Sequence, residues 1–474
     1  MKKIKVLLLT FAIAFTFTNC FEDLDDNFIG SIEIKDFVWK GMNAVYLYKS
    51  EIPDLANDRF ASDDDYNDYL NSFGSPEVLF ESLKYLPETV DRFSRITDNY
   101  LDLQNFFQGT TLSNGIEFNL YRVPNTQNEV FGAITLVLNN SVADNLGLER
   151  GMIFRAVNGT NLNDNNINDL LLQDSYTLNF ADYNDNGTPE GQDDSITLNG
   201  ESESLSRVEY TENPVHIAQI INLTDSNVGY LMYNAFNNNF ESDLNAAFGF
   251  FQAAGVSDLV VDLRYNGGGS VQTAAYLGSM ITGQFTGQVF SKLFYNQNLE
   301  ESNREFLFTN SIEGGGNINS LNLSRVYVLT TNRRTASASE LLINSLKPYI
   351  DVVVVGENTV GKTQVSQTVY DSPSLFTTED INPNHTYAMQ PLIANSTNVN
   401  DQLVLPNGLQ ADIEVTETPS TLRTLGMINE PLLGAAIQDI INFGRSSSDY
   451  SDTPKLIKTK GLLHPFEQDM YIEK

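Results

Sequence analysis

Apolar residues along the chain keep three different rhythms. Between residues 30 and 105 they recur at three- and four-residue steps, the spacing that gathers them on one face of a helix. Phe37, Val38, Met42, Val45, Tyr46 and Tyr48, with Trp39 alongside, predict one helix. Pro76 and Glu77 open a second, running through Phe80, Leu83 and Leu86, with Ser75 placed to cap it. Val90, Phe93, Ile96, Tyr100 and Leu103 predict a third. Between residues 106 and 205 the apolar residues form shorter runs, IEFNLYR at 116–122 and FGAITLVL at 131–138, which predict strands. From 206 to 445 unbroken apolar runs alternate with helical stretches. VGYLMY at 228–233, LVVDL at 259–263, VYVLT at 326–330 and DVVVV at 351–355 suit strands of a sheet buried on both faces. Helices are expected at 240–254, with Leu244, Ala247, Phe248 and Phe251 on one face, and at 340–346, closed by Lys347-Pro348. The expectation is an α/β multidomain protein: a helical domain at 30–105, a β domain at 106–205, an α/β sheet core at 206–445 and a tail at 446–474.

The first twenty residues have a different character. Lys2, Lys3 and Lys5 precede an apolar run at 6–17 that is too short to span a bilayer, the pattern of an export signal. The run stops at Cys20, the only cysteine, so an internal disulfide is excluded. The position of Cys20 resembles a bacterial lipoprotein processing site. That resemblance implies a signal peptide at 1–19, cleavage before Cys20 and lipid on its sulfur. An ordinary secretory signal containing a cysteine is the other reading. Glu22, Asp23, Asp25 and Asp26 make 20–29 an acidic tether, similar to the stretch that sends some lipoproteins to the cell surface. The expected location is membrane-anchored and exported, in the outer membrane, on its periplasmic or cell-surface face. With Asp+Glu 61 against Lys+Arg 28, the net charge of −33 argues against a nucleic-acid partner and repels anionic membrane surfaces.

Two reactive side chains stand at the ends of neighbouring core elements. Ser337 lies in the small-residue run Thr335-Ala-Ser-Ala-Ser339, and Lys362 ends the glycine loop 356–362. Serine is a weak nucleophile until a base takes its proton, and a lysine can serve where burial favours its neutral amine. Taken alone, Ser337 is a serine in a turn. The lysine loop has a second reading, because Gly356-Glu-Asn-Thr-Val-Gly-Lys-Thr363 fits the phosphate-binding pattern G-x-x-x-x-G-K-[ST]. Such a loop must open a helix, whose N-terminus holds the phosphates. Here TQVSQTVY at 363–370 is rich in Thr and Val and predicts a strand.

Together these stretches resemble the C-terminal processing (tail-specific) serine peptidases. Their signature puts a nucleophile in an S-A-S-E turn and a base in a G-E-x-T-x-G-K loop. Ser337, Glu340, Thr359 and Lys362 fall on motif positions, and 25 residues separate serine from lysine. The resemblance implies Ser337 as nucleophile, Lys362 as general base and the Ala338 N–H as one oxyanion donor, with Glu340, Thr359 and Gln364 in support. Arg264-Tyr-Asn-Gly-Gly-Gly269 resembles the family's D-L-R-x-N-x-G-G motif, which implies a second donor at Gly267 or Gly268. It follows a strand, where open α/β sheets place their sites; a flexible turn is the plain alternative. PNGLQADIEV at 406–415 resembles the family's closing strand region. Two positions depart from the pattern. Pro348 stands where many relatives carry Asp, eleven residues after the nucleophile. Ser366 stands where many carry Gln, four after the lysine, with Gln364 and Gln367 nearby.

Residues 141–159, SVADNLGLERGMIFRAVNG, resemble the core of a PDZ domain: a short helix, a glycine turn, a strand and an Asn-Gly hairpin turn. Such domains bind extended C-termini by strand addition. Met152 stands where that pattern expects an acid. Asp182, Asn184, Asn186, Gly187 and Asp193 match positions of a calcium loop, with Asp193 in place of the bidentate Glu and Pro189 in place of an apolar residue. An acidic hairpin insertion is the preferred reading there. His216, His385 and His464 carry no motif, and no Cys/His/acid cluster has zinc spacing. No metal or cofactor is expected. The resemblance implies an endopeptidase that forms an acyl-enzyme on exported proteins, reached through their C-terminal tails. The competing reading is a weak or inactive homologue that binds peptides or proteins at the surface.

Overall fold

The computed structural model describes residues 32–188, 191–442, 456–457 and 468–472. The expected signal, Cys20, the acidic tether, Pro189 and His464 lie outside the described residues. Among those described, no helix is long and apolar enough to cross a membrane.

The N-terminal part packs its apolar faces onto the rest of the chain. In the helix Glu33–Val45, Phe37, Val38, Met42 and Val45 are buried. The helix Pro76–Ser82 starts at Pro76 and is capped by Ser75, whose Oγ accepts from Val78 N–H at 3.3 Å. These residues share one continuous core with Phe290, Leu293 and Ile393 of the later chain. Residues 90–96 are not the start of a third helix. The Asp91 carboxylate accepts from Ser94 N–H at 2.8 Å and from Tyr46 Oη–H at 2.7 Å, which closes a turn. A strand follows, Arg95–Thr97, which pairs with Ala388–Gln390. The helix begins only at Tyr100, where Asn99 Oδ1 accepts from Leu101 N–H. Side-chain bonds to the backbone overrode the apolar spacing.

The middle part is an antiparallel sheet in the order Ile116–Arg122, Val130–Val137, Ile153–Val157, Ser175–Asn184, Ser195–Ser206, with Thr160–Asn161 paired to Ile153–Val157. Ser141 caps the short helix Val142–Asn145. Asn158 and Gly159 both take positive φ, 50° and 74°, which is what a two-residue hairpin turn of this hand requires. This part has its own core around Leu120, Ile134, Phe154, Val157 and Leu178. Asn184, Asn186 and Asp193 cluster around the tip of the long hairpin and bond to one another or to nearby backbone, while Asp182 Oδ1 accepts from Asn199. No group of His, Cys, Asp and Glu among the described residues is arranged to hold a metal.

The core is a six-stranded sheet ordered Val215–Asn222, Asn227–Tyr233, Asp258–Asp262, Arg325–Thr330, Asp351–Gly356, Ile413–Glu414; the first pair is antiparallel and the rest parallel. Successive strand residues serve opposite faces. Leu231, Val261, Val328 and Val354 face a cluster that includes the helices Glu241–Ala253, Val271–Thr282 and Ala338–Leu346. Tyr230, Val260, Leu329 and Val355 face the other cluster, with the helix Pro431–Asn442. This two-sided burial is why the strands read as unbroken apolar runs. Beside this sheet lies a second one, ordered Gly269–Ser270, Met470–Tyr471, Gln364–Ser366, Leu392–Thr397, Val289–Tyr295, Arg304–Leu307. The glycine loop therefore runs into a strand and not a helix, and the phosphate-binding reading of residues 356–363 fails on that ground.

Candidate active site

Two loops leave the C-terminal ends of adjacent parallel strands and are laced together. After Asp258–Asp262 comes residues 264–269; after Arg325–Thr330 comes residues 331–337. Thr335 Oγ–H donates to Leu263 O at 2.9 Å, and Ser339 Oγ–H donates to Asn266 O at 3.1 Å. Asn266 Nδ2 in turn donates to Tyr233 O at 2.8 Å, tying both loops to a third strand.

Ser337 is the residue before the helix Ala338–Leu346, with φ 58° and ψ −116°. A side chain rarely adopts that conformation unless its surroundings impose it. Here Glu340 imposes it. The Glu340 carboxylate accepts from Ser337 N–H at 3.0 Å, Gly361 N–H at 2.7 Å and Lys362 N–H at 2.8 Å, and from the Thr359 hydroxyl. Burial pushes this carboxyl up, and those hydrogen bonds, Thr359's foremost, oppose it. One side chain thus fixes the backbone of both Ser337 and Lys362. The lysine loop is further clamped by the turn at 406–409, where Leu409 N–H donates to Thr359 Oγ at 2.8 Å. Gly361, at φ 85°, passes so close to Pro406 O that a Cβ would lie 2.2 Å from it.

Lys362 is completely buried. Its Nζ lies 5.0 Å from the centre of the Phe93 ring. Desolvation pushes the amine below the ordinary lysine range; Asp469 pulls it back up, Arg95 lowers it further and Asp91 raises it. Ser337 Oγ–H and Lys362 Nζ both donate to a single acceptor, the peptide carbonyl oxygen of Gln468, at 2.6 and 2.8 Å. Lys362 also pairs with Asp469 Oδ1 at 2.7 Å.

Residues 227–394 match peptidase family S41, and residues 33–95 match the peptidase S41 N-terminal domain. These two matches support a C-terminal processing serine peptidase family, S41, for this chain. A chloroplastic C-terminal processing peptidase from Tetradesmus obliquus is 29% identical over 176 residues, 35% of this chain and 35% of that one. A carboxyl-terminal-processing protease from a Picosynechococcus species is 25% identical over 189 residues, 39% of this chain and 42% of that one. The matched stretch therefore spans well under half of either relative. A solved structure described as an S41 protease from Bacteroides fragilis is 27% identical with a TM-score of 0.69, covering 86% of this chain and 97% of that one. The mixed α/β fold with a helical N-terminal part is the S41 fold.

Of the S41 motif residues, Ser337, Glu340, Thr359 and Lys362 come together, with Ala338 and Gly268 beside Ser337. Gly268 has φ 126°, and a Cβ there would lie 2.5 Å from Ser337 Cβ and 3.2 Å from Ala338 N. Its own N–H donates to Asn266 Oδ1 at 2.9 Å, which leaves Gly267 as the candidate second donor. Gln364 stands apart from the serine, and its Nε2 donates to Tyr48 Oη at 3.1 Å. Where Ser366 replaces the usual glutamine, an amide arrives from another strand: the buried Gln390 donates to Ser366 Oγ at 3.2 Å. Pro348 lies in the turn after the nucleophile's helix. His216 is pushed down to about 4, by burial foremost, and His385 pairs with Asp371 at 2.9 Å, away from Ser337 and Lys362. Sequence reasoning missed Asp91, Phe93 and Arg95 around the lysine, and Gln468 and Asp469 against Ser337 and Lys362. The first three were read as helix; nothing in the last two signals a role.

Proposed function

We propose that this chain is an exported serine endopeptidase working through a Ser337–Lys362 dyad. The observation that carries the reading is the convergence of Ser337 Oγ and Lys362 Nζ on one peptide carbonyl in a buried site. Neutral Lys362 takes the hydroxyl proton as Ser337 Oγ bonds to the substrate carbonyl carbon. The oxygen, now negative, is held by the N–H groups of Ala338 and Gly267. The lysine returns its proton to the leaving amine as the C–N bond breaks, leaving an acyl-serine. Water, deprotonated by Lys362, then releases the acid. The chemistry needs only these side chains and backbone amides.

The rest of the reading concerns reach and place. The middle β domain acts as a PDZ-like module that presents protein substrates by their C-terminal tails. Cys20 carries a lipid that holds the chain at the outer membrane. A serine-reactive fluorophosphonate provides the test. It should label the parent protein at Ser337, and Ser337→Ala and Lys362→Ala should each abolish both labelling and cleavage of an unfolded protein. Cleavage that survives Ser337→Ala would sink the dyad. A folded parent that neither labels nor cleaves would leave a peptide-binding homologue as the better reading.

A further inference from the structure

The slot beside the dyad is filled by this chain itself. Met470–Tyr471 lies parallel to Gly269–Ser270, with Gly269 opposite Met470 and Ser270 opposite Tyr471. On its other side it lies parallel to Gln364–Ser366, with Ser366 opposite Tyr471. It is the strand that joins Gly269–Ser270 to the rest of its sheet. Without it two short strand edges face each other across an open gap.

The strand is anchored along its length. Gln468 Nε2 donates to Arg333 O at 2.7 Å, and Ser366 Oγ–H donates to Met470 O at 3.2 Å. Met470 and Ile472 point into the core and are buried. The ring of Tyr471 lies 4.5 Å from that of Phe107. Tyr471 also walls a cavity of about 430 Å³ bounded by Phe106, Leu138, Arg334 and the glycine loop, between the middle β domain and the core. Asp469 O passes so near Gly268 that a Cβ there would lie 2.8 Å from it.

The pose is that of a bound peptide, but it is not poised for attack. Ser337 Oγ faces the oxygen of the Gln468 carbonyl through a hydrogen bond, whereas attack requires it to face the carbon. Asp469 Oδ1 lies 2.7 Å from Lys362 Nζ and favours the charged amine, against the burial that favours the neutral one. An amine engaged by this carboxylate and by the Gln468 carbonyl is turned away from the serine hydroxyl as acceptor.

We propose that residues 468–472 form a built-in inhibitory strand, which occupies the peptide slot and holds Lys362 through Asp469. The proposal rests on the serine-peptidase reading above. A substrate would have to displace this strand and would take its register: parallel to Gly269–Ser270 and to Gln364–Ser366, with apolar side chains where Met470 and Ile472 now sit. The substrate class this implies is an extended peptide with alternate apolar residues just beyond the bond to be cut.

The test uses the full chain, its Asp469→Asn variant, which keeps the strand's shape, and its Met470→Lys variant, which cannot stay in the slot. Two readouts are taken: the rate of fluorophosphonate labelling, and hydrogen exchange at the amides of 269–270 and 364–366. A slot open in about one molecule in ten slows labelling about ten-fold, so Met470→Lys should label about ten-fold faster and lose protection at those amides. Asp469→Asn should label faster with protection largely kept. A synthetic peptide of residues 465–474 added to Met470→Lys should slow labelling again. Equal exchange in parent and Met470→Lys would overturn the occupancy. Lost protection without faster labelling would overturn the inhibition while leaving the peptidase reading intact. Absence of labelling in all three forms would overturn both readings together. A parent that cuts its own Gln468–Asp469 bond in a Ser337-dependent way would make the strand a substrate and overturn its inhibitory role.

Discussion

Arg264 and Lys362 are both completely buried beyond the ends of the same sheet, yet they are neutralised in different ways. Arg264 has three carboxylates built into the fold. Its Nε donates to Asp262 at 2.9 and 3.0 Å, and its terminal nitrogens donate to Glu430 at 2.7 and 2.9 Å and to Glu417 at 2.7 Å. Arg150 joins from the middle β domain, reaching Glu417 and the Tyr265 hydroxyl. Lys362 has Asp469, which precedes the strand Met470–Tyr471. The difference follows from the chemistry of the two cations. A guanidinium cannot shed its proton in a protein, so its counter-charges have to be permanent. An amine can, so its counter-charge can come and go. Permanent charge here is architecture, and conditional charge sits where the proposed mechanism moves a proton.

Substitution should separate the two sites sharply. Arg264→Met strands the buried carboxylates of Asp262 and Glu430, with Glu417 still held by Arg150, and should destabilise the fold by about 3–5 kcal/mol, read as a lowered denaturant midpoint. Lys362→Met should change stability by no more than about 1 kcal/mol, because Asp469 can leave with its strand. Its serine labelling should nevertheless fall by at least about a thousand-fold. Equal stability losses in the two variants would break the comparison.

Glu340→Gln sharpens it further. The amide would turn N–H groups toward donors that now meet oxygen, loosening the grip on Ser337 and Lys362. Labelling should drop by about a hundred-fold while the far-ultraviolet dichroism stays unchanged. A smaller effect is expected from Asp469→Asn on the pH profile of labelling. Asp469 favours the charged amine, so its removal should move the rise in labelling to lower pH, with Asp91 and Arg95 the remaining charges around Lys362. A profile that stays put would mean that another group holds the proton. The smallest effect belongs to Glu417, held down to about 2: burial, the largest single influence, raises it, and the charges of Arg150 and Arg264 with the hydrogen bonds of Tyr265 and Arg150 together outweigh it. Its folded value lies below its ordinary 4.5, so its contribution is present above that value and fades as pH falls toward 2. Acid unfolding of the parent should therefore steepen in that window, and Arg150→Met should blunt it.

Much of this was legible in the sequence because it is local. The runs at 259–263, 326–330 and 351–355 became strands of the core sheet, since burial on both faces leaves no polar alternation to confuse the reading. The serine and lysine motifs each sit within one turn of chain and came together as their spacing implied. What escaped is non-local. Residues 90–96 have helical spacing, but Asp91 bonds to the turn and Arg95–Thr97 pairs with a strand nearly three hundred residues later. Residues 468–472 are too few to show a period, and their partners lie about a hundred and two hundred residues upstream. No window along the chain contains both sides of those pairings.

The four hydrogen bonds that Glu340 accepts have a kinetic corollary. Since a single carboxylate grips the backbone of serine and lysine together, the two cannot be drawn partly out of line and then restored; they are aligned in every molecule whose helix is folded. Under the proposed mechanism, the backbone alignment of the two residues is then all-or-none, leaving the proton on the lysine as the part of the site that can be tuned.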